Sequence, residues 1–292
     1  MNIFVPVHSH KQLESYSLSN VDAVIFSTVF CSTKTQHPST VSELEILSKK
    51  ANQLHLPWYL SINRMILQSE WSDLLSEILQ INEYLPTGYI VSDLGVLHYL
   101  KKNYPLKTIV LQTDTTITNA YDVEVLLSMG ADIVALAKEL TLSEVTQIVQ
   151  RFGSRVLISG FGHQCMSTSN RPLMSNYFNH IQKDVEVMYK RFTLQEEGRT
   201  EGYYAIQDTH GFHIFTSSVL EIFDEVEKLA ENGLGHLMID SLFVDDDTIL
   251  KVIQAFKKEI DIEYAKSEIS KRYSLSKALY YTATSAIKVV SE

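Results

Sequence analysis

The sequence predicts an α/β protein: a (β/α)8 TIM-type barrel with a small antiparallel β insertion after strand seven. Three observations predict it. Short runs rich in Val, Ile, Phe and Tyr alternate with helical stretches along most of the 292 residues. Eight such runs can be marked, the number a closed barrel needs. No GxGxxG and no GxxxxGK followed by Ser or Thr occurs, which disfavours the alternative, an open doubly wound nucleotide-binding sheet.

The strand runs cover residues 3–7, 21–27, 57–64, 88–92, 108–114, 132–138, 155–160 and 236–241. Each is five to eight residues long and rich in Val, Ile, Phe or Tyr. Helical patterns fall at 40–56, 70–84, 94–103, 119–129, 142–152, 218–232 and 245–259. Their apolar spacing is near i, i+3, i+4, as in Leu220, Phe223, Val226 and Leu229. Thr141 and Glu144 form a capping-box pattern ahead of Val145, and Gly130 and Gly233 stand where helices end. Between 185 and 217 the pattern turns strand-like, at 185–194, 202–207 and 212–216, with turns at 196–199 and 208–211. Residues 1–260 thus read as a barrel that includes the insertion 185–217. Residues 261–292 read as a helical tail that packs outside or meets a partner.

Composition narrows the function. There are 25 basic and 35 acidic residues, for a formal net charge of −10. Scattered Lys and Arg in an acidic chain disfavour autonomous binding to nucleic-acid phosphates. Two cysteines exclude a disulfide scaffold, a zinc ribbon and a four-thiolate iron–sulfur site made by this chain alone. No apolar run reaches the ~18–20 residues of a membrane span, and the first ten residues lack a signal-peptide pattern, so the cytoplasm is expected.

In a parallel barrel, chemistry sits at the C-terminal ends of the strands. That rule collects Arg64, Asp93, Gln112, Asp114, Asn119, Lys138, Glu139, His163 and Asp240 on one rim. Each has a plainer reading as well. Asp93 and Asn119 suit helix N-caps, and Lys138 with Glu139 suits an ion pair joining loops. Asp208, His210 and His213 invite a metal reading with His163, yet residues three apart on a strand face opposite ways, and turn hydrogen bonds explain them more simply. Cys165 follows His163 by two positions, too close on a loop for the usual geometry of a nucleophile and its base. HExxH and GxSxG are absent.

Several stretches carry a resemblance: Val91-Ser-Asp-Leu-Gly95, Gln112-Thr-Asp-Thr-Thr-Ile-Thr-Asn119, Ala137-Lys-Glu-Leu-Thr-Leu-Ser-Glu-Val145, Gly162-His-Gln-Cys-Met166 and Asn170-Arg-Pro-Leu-Met-Ser-Asn-Tyr177. Together they resemble the collagenase-like peptidases, peptidase family U-32. Typical members carry four cluster-binding cysteines. Here Cys165 matches the first, Pro172 occupies the second position, and no cysteine follows. Phe161 stands where the family has a His, and Lys138 replaces the Arg of an Arg-Glu pair whose Glu139 remains. Ser169-Asn-Arg171, Ser175-Asn-Tyr-Phe178, Glu196-Glu-Gly-Arg199 and Ile206-Gln-Asp-Thr-His-Gly-Phe-His213 are similar to a short, cysteine-poor branch of Gram-positive bacteria.

That branch accompanies a longer cysteine-bearing paralogue. The family is implicated in prephenate-dependent 5-hydroxylation of the wobble uridine of transfer RNAs. The resemblance therefore implies an accessory subunit, with no cluster in this chain, prephenate as a substrate of the complex, and tRNA reached through the partner. The alternative it implies is a collagenase-like peptidase. The positions carried over are Asp93, Asn119, Glu139, Arg171, Asn176, Glu197, Arg199, Asp208, His210 and His213. For ligand binding, Arg64, Asp93, Asn119, Lys138, Arg171, Asn176 and Arg199 are the candidates. For catalysis they are Glu139, His163, Cys165, Asp208, His210 and His213.

Overall fold

The computed structural model describes residues 1–198 and 201–282. In chain order the elements are β1 (Asn2–Pro6), α1 (His10–Leu18), β2 (Ala23–Ser27), α2 (Val41–Gln53), β3 (Trp58–Ile62), α3 (Trp71–Asn82), β4 (Gly88–Val91), α4 (Leu94–Asn103), β5 (Thr108–Leu111), α5 (Ala120–Ser128), β6 (Ile133–Ala135), α6 (Leu142–Phe152) and β7 (Val156–Ser169). Then come α7 (Leu173–His180), β8 (Arg191–Leu194), β9 (Tyr203–Asp208), β10 (Gly211–Glu221), α8 (Val226–Glu231), β11 (His236–Ile239), α9 (Asp246–Phe256), α10 (Ile262–Ser270) and β12 (Leu275–Ser276).

β1 through β7 pair in sequence order, all parallel, and β11 closes the ring by pairing with both β7 and β1. This is the eight-stranded parallel barrel that the sequence predicts. Its bore is filled from every strand: Phe4, Ile25, Tyr59, Ile90, Val110, Ile133, Leu157 and Met238 pack together. The alternate residues, such as Val5, Leu60, Val91, Leu111, Val134 and Leu237, face outward into the layer between strands and helices. Both faces of each strand are therefore dry, which is why the strands read as continuous apolar runs. The capping boxes Thr40–Glu43 and Thr141–Glu144 are formed, and Gly130 and Gly233 take left-handed backbone just past their helices.

The insertion is antiparallel, as expected, but it grows out of the barrel itself. β7 continues past the barrel end to Ser169, where β10 pairs with it antiparallel, followed by β9 and β8. A second small core of Met174, Val187, Ala205 and Phe212 forms under α7. Three local expectations differ. Residues 218–221 belong to β10, so the helix expected at 218–232 is confined to Val226–Glu231; Val219 and Leu220 are held by the β7 pairing. Helices α1 and α7 carry few buried apolar residues, Leu13 and Tyr16 in one and Met174 in the other, which leaves little periodicity to read. The tail is helical over Ile262–Ser270, then turns into β12, which pairs parallel with β10. Lys277 binds Glu221, Asp224 and Glu225 at 2.8–2.9 Å, and Tyr280 is buried, which fastens the tail. Among the described residues no helix is long and apolar enough to cross a membrane.

Candidate functional site

A cavity of about 410 Å³ opens at the C-terminal end of the barrel. A second hollow of about 260 Å³ adjoins it, and Thr33, Lys34, Asn63, Asp114, Lys138 and Cys165 line both. The bore residues Ile25, Ile90, Leu157 and Met238 form the floor. The polar wall comes from the ends of β2, β3, β5, β6, β7 and β11, the position at which barrel strands present chemistry.

At the centre Lys34 is ion-paired with Asp114. Both residues adopt positive φ, +60° and +68°, a region that Asp enters readily and Lys at a cost. Burial disfavours the Lys34 ammonium, but Asp114, with the Cys165 sulfur and Asp240, more than offsets it and holds the amine above the usual lysine range. Asp240 lies across the cavity. Burial raises its carboxyl, against the pull of the Leu242 amide and Lys34, and Asp114 adds to the rise. Lys138 reaches both hollows and forms no hydrogen bond or ion pair with the described residues.

His163 is buried in the cavity wall. Its Nδ1 lies 2.9 Å from the Thr216 carbonyl, so that nitrogen carries the proton. Burial pushes its pKa down and keeps the ring neutral, which leaves Nε2 as an acceptor with no partner among the described residues. Cys165 Sγ contacts Ser167 O and Thr168 Oγ1, each at 3.6 Å, rather than His163. The two do not form an activated thiolate pair in this structure. Cys31 is buried elsewhere, its thiol on Glu77 at 3.3 Å. The donor set thus does not fit a four-thiolate cluster, and Pro172 precedes the first residue of α7.

Asp208, His210 and His213 gather at the β9–β10 turn, and each is engaged by the protein. Asp208 Oδ2 accepts from Thr33 Oγ1 at 2.6 Å and from the Lys34 amide at 2.9 Å, and its Oδ1 accepts from the His210 amide. His213 Nε2 is 2.7 Å from Thr33 Oγ1 and its Nδ1 is 3.2 Å from Thr168 Oγ1. His210 Nε2 donates to the Val29 carbonyl at 2.8 Å. Burial alone would raise the Asp208 carboxyl; the His213 hydrogen bond and charge, the Thr33 hydroxyl and the Lys34 amide outweigh it and hold the group at about 2. Turn and loop hydrogen bonds therefore explain this motif. Among the described residues the one group of three potential metal ligands is Glu221, Asp224 and Glu225, which surrounds Lys277.

The remaining rim residues separate cleanly. Asp93 caps α4 by accepting from the Val96 amide, and Asn119 caps α5. Arg64 is buried, bonded to the Phe30 and Met65 carbonyls and to Glu70, with its Nη2 beside the second hollow and without a partner among the described residues. Gln112, Asp114, Lys138, His163, Cys165 and Asp240 line the cavity. Glu139 is half-buried outside it, and Arg171 and Asn176 are exposed on the insertion. Arg199 lies outside the described residues. Lys34, on the loop after strand two, is not among the residues that the rim rule collects. The polar loop after strand two, Ser32-Thr-Lys-Thr35, was the available signal.

The family model described as Peptidase family U32 matches residues 8–287. The chain is 24% identical over 208 residues to tRNA hydroxylation protein P2 of Bacillus subtilis (strain 168), covering 70% of this chain and 67% of that one. It is 22% identical over 263 residues to tRNA hydroxylation protein P of Escherichia coli (strain K12), covering 75% of this chain but 58% of that longer one. Among solved structures it is similar to the one described as the U32 peptidase Mk0906, with a TM-score of 0.53 and 14% identity over 82% of this chain and 92% of that chain, a likeness of fold alone. A match spanning the barrel, the insertion and most of the tail settles the kinship: the chain belongs to peptidase family U32.

Proposed function

We propose that this protein serves in tRNA hydroxylation, as an accessory subunit beside a longer, cysteine-bearing relative. The relatives named above for tRNA hydroxylation support the process. The observation that carries the finer reading is the contrast inside this chain. The barrel mouth keeps a polar cavity with Lys34, Lys138, Asp114 and Asp240, while the cysteines number two. Such a chain holds a small ligand and leaves cluster chemistry to a partner. Lys138, which forms no hydrogen bond or ion pair with the described residues, suits a carboxylate, and prephenate is the expected co-substrate of the complex. The net charge of −10 fits contact with tRNA through the partner's surface.

Deletion of the gene, followed by mass spectrometry of tRNA nucleosides and of proteins that co-purify with the tagged chain, tests this. Loss of 5-hydroxyuridine derivatives and recovery of the longer relative are expected. Unchanged nucleosides, or gelatin cleavage by the purified chain alone, would overturn it.

A further inference from the structure

We propose that the insertion hairpin is a clamp that sets the position of Lys34, and that Asp208, backed by His213, is the positioning residue for that amine. The inference concerns the geometry of the cavity and stands whichever reaction the cavity serves. The loop between β2 and α2 must turn inward to bring Lys34 over the barrel mouth, and it does so with left-handed backbone at Lys34 itself. Such a conformation persists where its surroundings over-determine it. Here Asn63 bonds the Thr33 backbone from both sides, its Oδ1 accepting from the amide at 2.9 Å and its Nδ2 donating to the carbonyl at 3.2 Å. Asp208 then takes the Thr33 hydroxyl and the Lys34 amide on one carboxylate oxygen, 174 residues further along the chain.

Asp208 and His213 side chains are each 1% exposed and 3.3 Å apart, so the clamp is buried and hydrogen-bonded throughout. Gly211 permits it. Its φ is +142°, and a Cβ there would stand 2.1 Å from the Ser169 carbonyl, so only glycine lets the hairpin close against β7. The barrel strands close without any of these groups. What the clamp fixes is the Thr33–Lys34 backbone, and through it an amine that meets Asp114 inside the cavity. Lys138, on the same cavity, forms no hydrogen bond or ion pair with the described residues and serves as an internal reference.

The test is trace acylation of the full-length protein with an N-hydroxysuccinimide acetate, read as the Lys34-to-Lys138 ratio by peptide mass spectrometry. In the native protein Lys34 reacts more slowly than Lys138. Asp208→Asn and Thr33→Val each raise the ratio about tenfold, the factor by which losing one ordinary hydrogen bond favours local opening. Thr33→Ser, which keeps the hydroxyl, restores the native ratio. A ratio unchanged in Asp208→Asn and Thr33→Val overturns the proposal. So does a parallel rise at every buried lysine, since the network would then support the fold at large. If Asp208→Asn does not fold, Thr33→Val against Thr33→Ser makes the same comparison.

Discussion

The barrel and the insertion that grows from β7 are held together by different forces. The barrel is dry: its bore and its strand–helix layer are packed with aliphatic and aromatic side chains, and Leu60, Val91 and Leu111 are wholly buried. The insertion has only a small apolar core and relies on buried polar groups. Gln207, 1% exposed, accepts from the Met174 and Ser175 amides and donates to Ser175 Oγ, so it caps α7 from a distant strand. Asp208 and His213 do the same for the loop over the barrel mouth. The barrel provides stability by volume, whereas the insertion places polar groups with precision in a region where each hydrogen bond has one geometry.

This contrast can be broken at several points. The largest loss is expected in the barrel: Leu60→Ala should cost ~3 kcal/mol, within the range for a buried leucine truncated in a packed core, measured by denaturant unfolding. A cost below ~1 kcal/mol would show that the layer is not well packed. The insertion should instead be sensitive to acid. The Asp208 carboxyl is held at about 2 against an ordinary 3.8, so its folded-state pKa is depressed. Its contribution, on the order of 2 kcal/mol, is fully present above pH ~4 and is lost as pH falls toward 2. Acid unfolding of the wild type should therefore steepen across that interval relative to Asp208→Asn; equal slopes would remove the carboxylate from the account. The smallest effect is expected at Asp93→Ala. It removes an N-cap worth ~1 kcal/mol and should leave tRNA modification intact, because Asp93 serves α4 and does not line the cavity.

The same contrast explains what the sequence made legible. Barrel strands buried on both faces read as apolar runs, and their helices carry local caps such as Thr141 with Glu144, so the closed eight-strand plan could be drawn from residue pattern alone. Helix α7 could not, because its N-terminus is capped by Gln207, and no local residue announces it. The rim rule collects Asp114, Lys138, His163 and Asp240, which line one cavity, together with Asp93 and Asn119, whose side chains are spent on helix amides. Lys34 is not legible in the sequence because its place depends on a left-handed turn and on a carboxylate 174 residues away. The Asp208-Thr-His-Gly211 turn was legible as a turn, but its hold on the opposite loop was not.

We propose the barrel mouth as the working site of a tRNA-hydroxylation protein. The most direct test is complementation of the deletion strain with wild-type, Lys138→Ala and Asp93→Ala chains, with tRNA nucleosides quantified by mass spectrometry. The account predicts that wild type and Asp93→Ala restore 5-hydroxyuridine derivatives, while Lys138→Ala, present at normal abundance, falls at least about tenfold short, the factor for one lost charge-assisted contact. Full restoration by Lys138→Ala would contradict it.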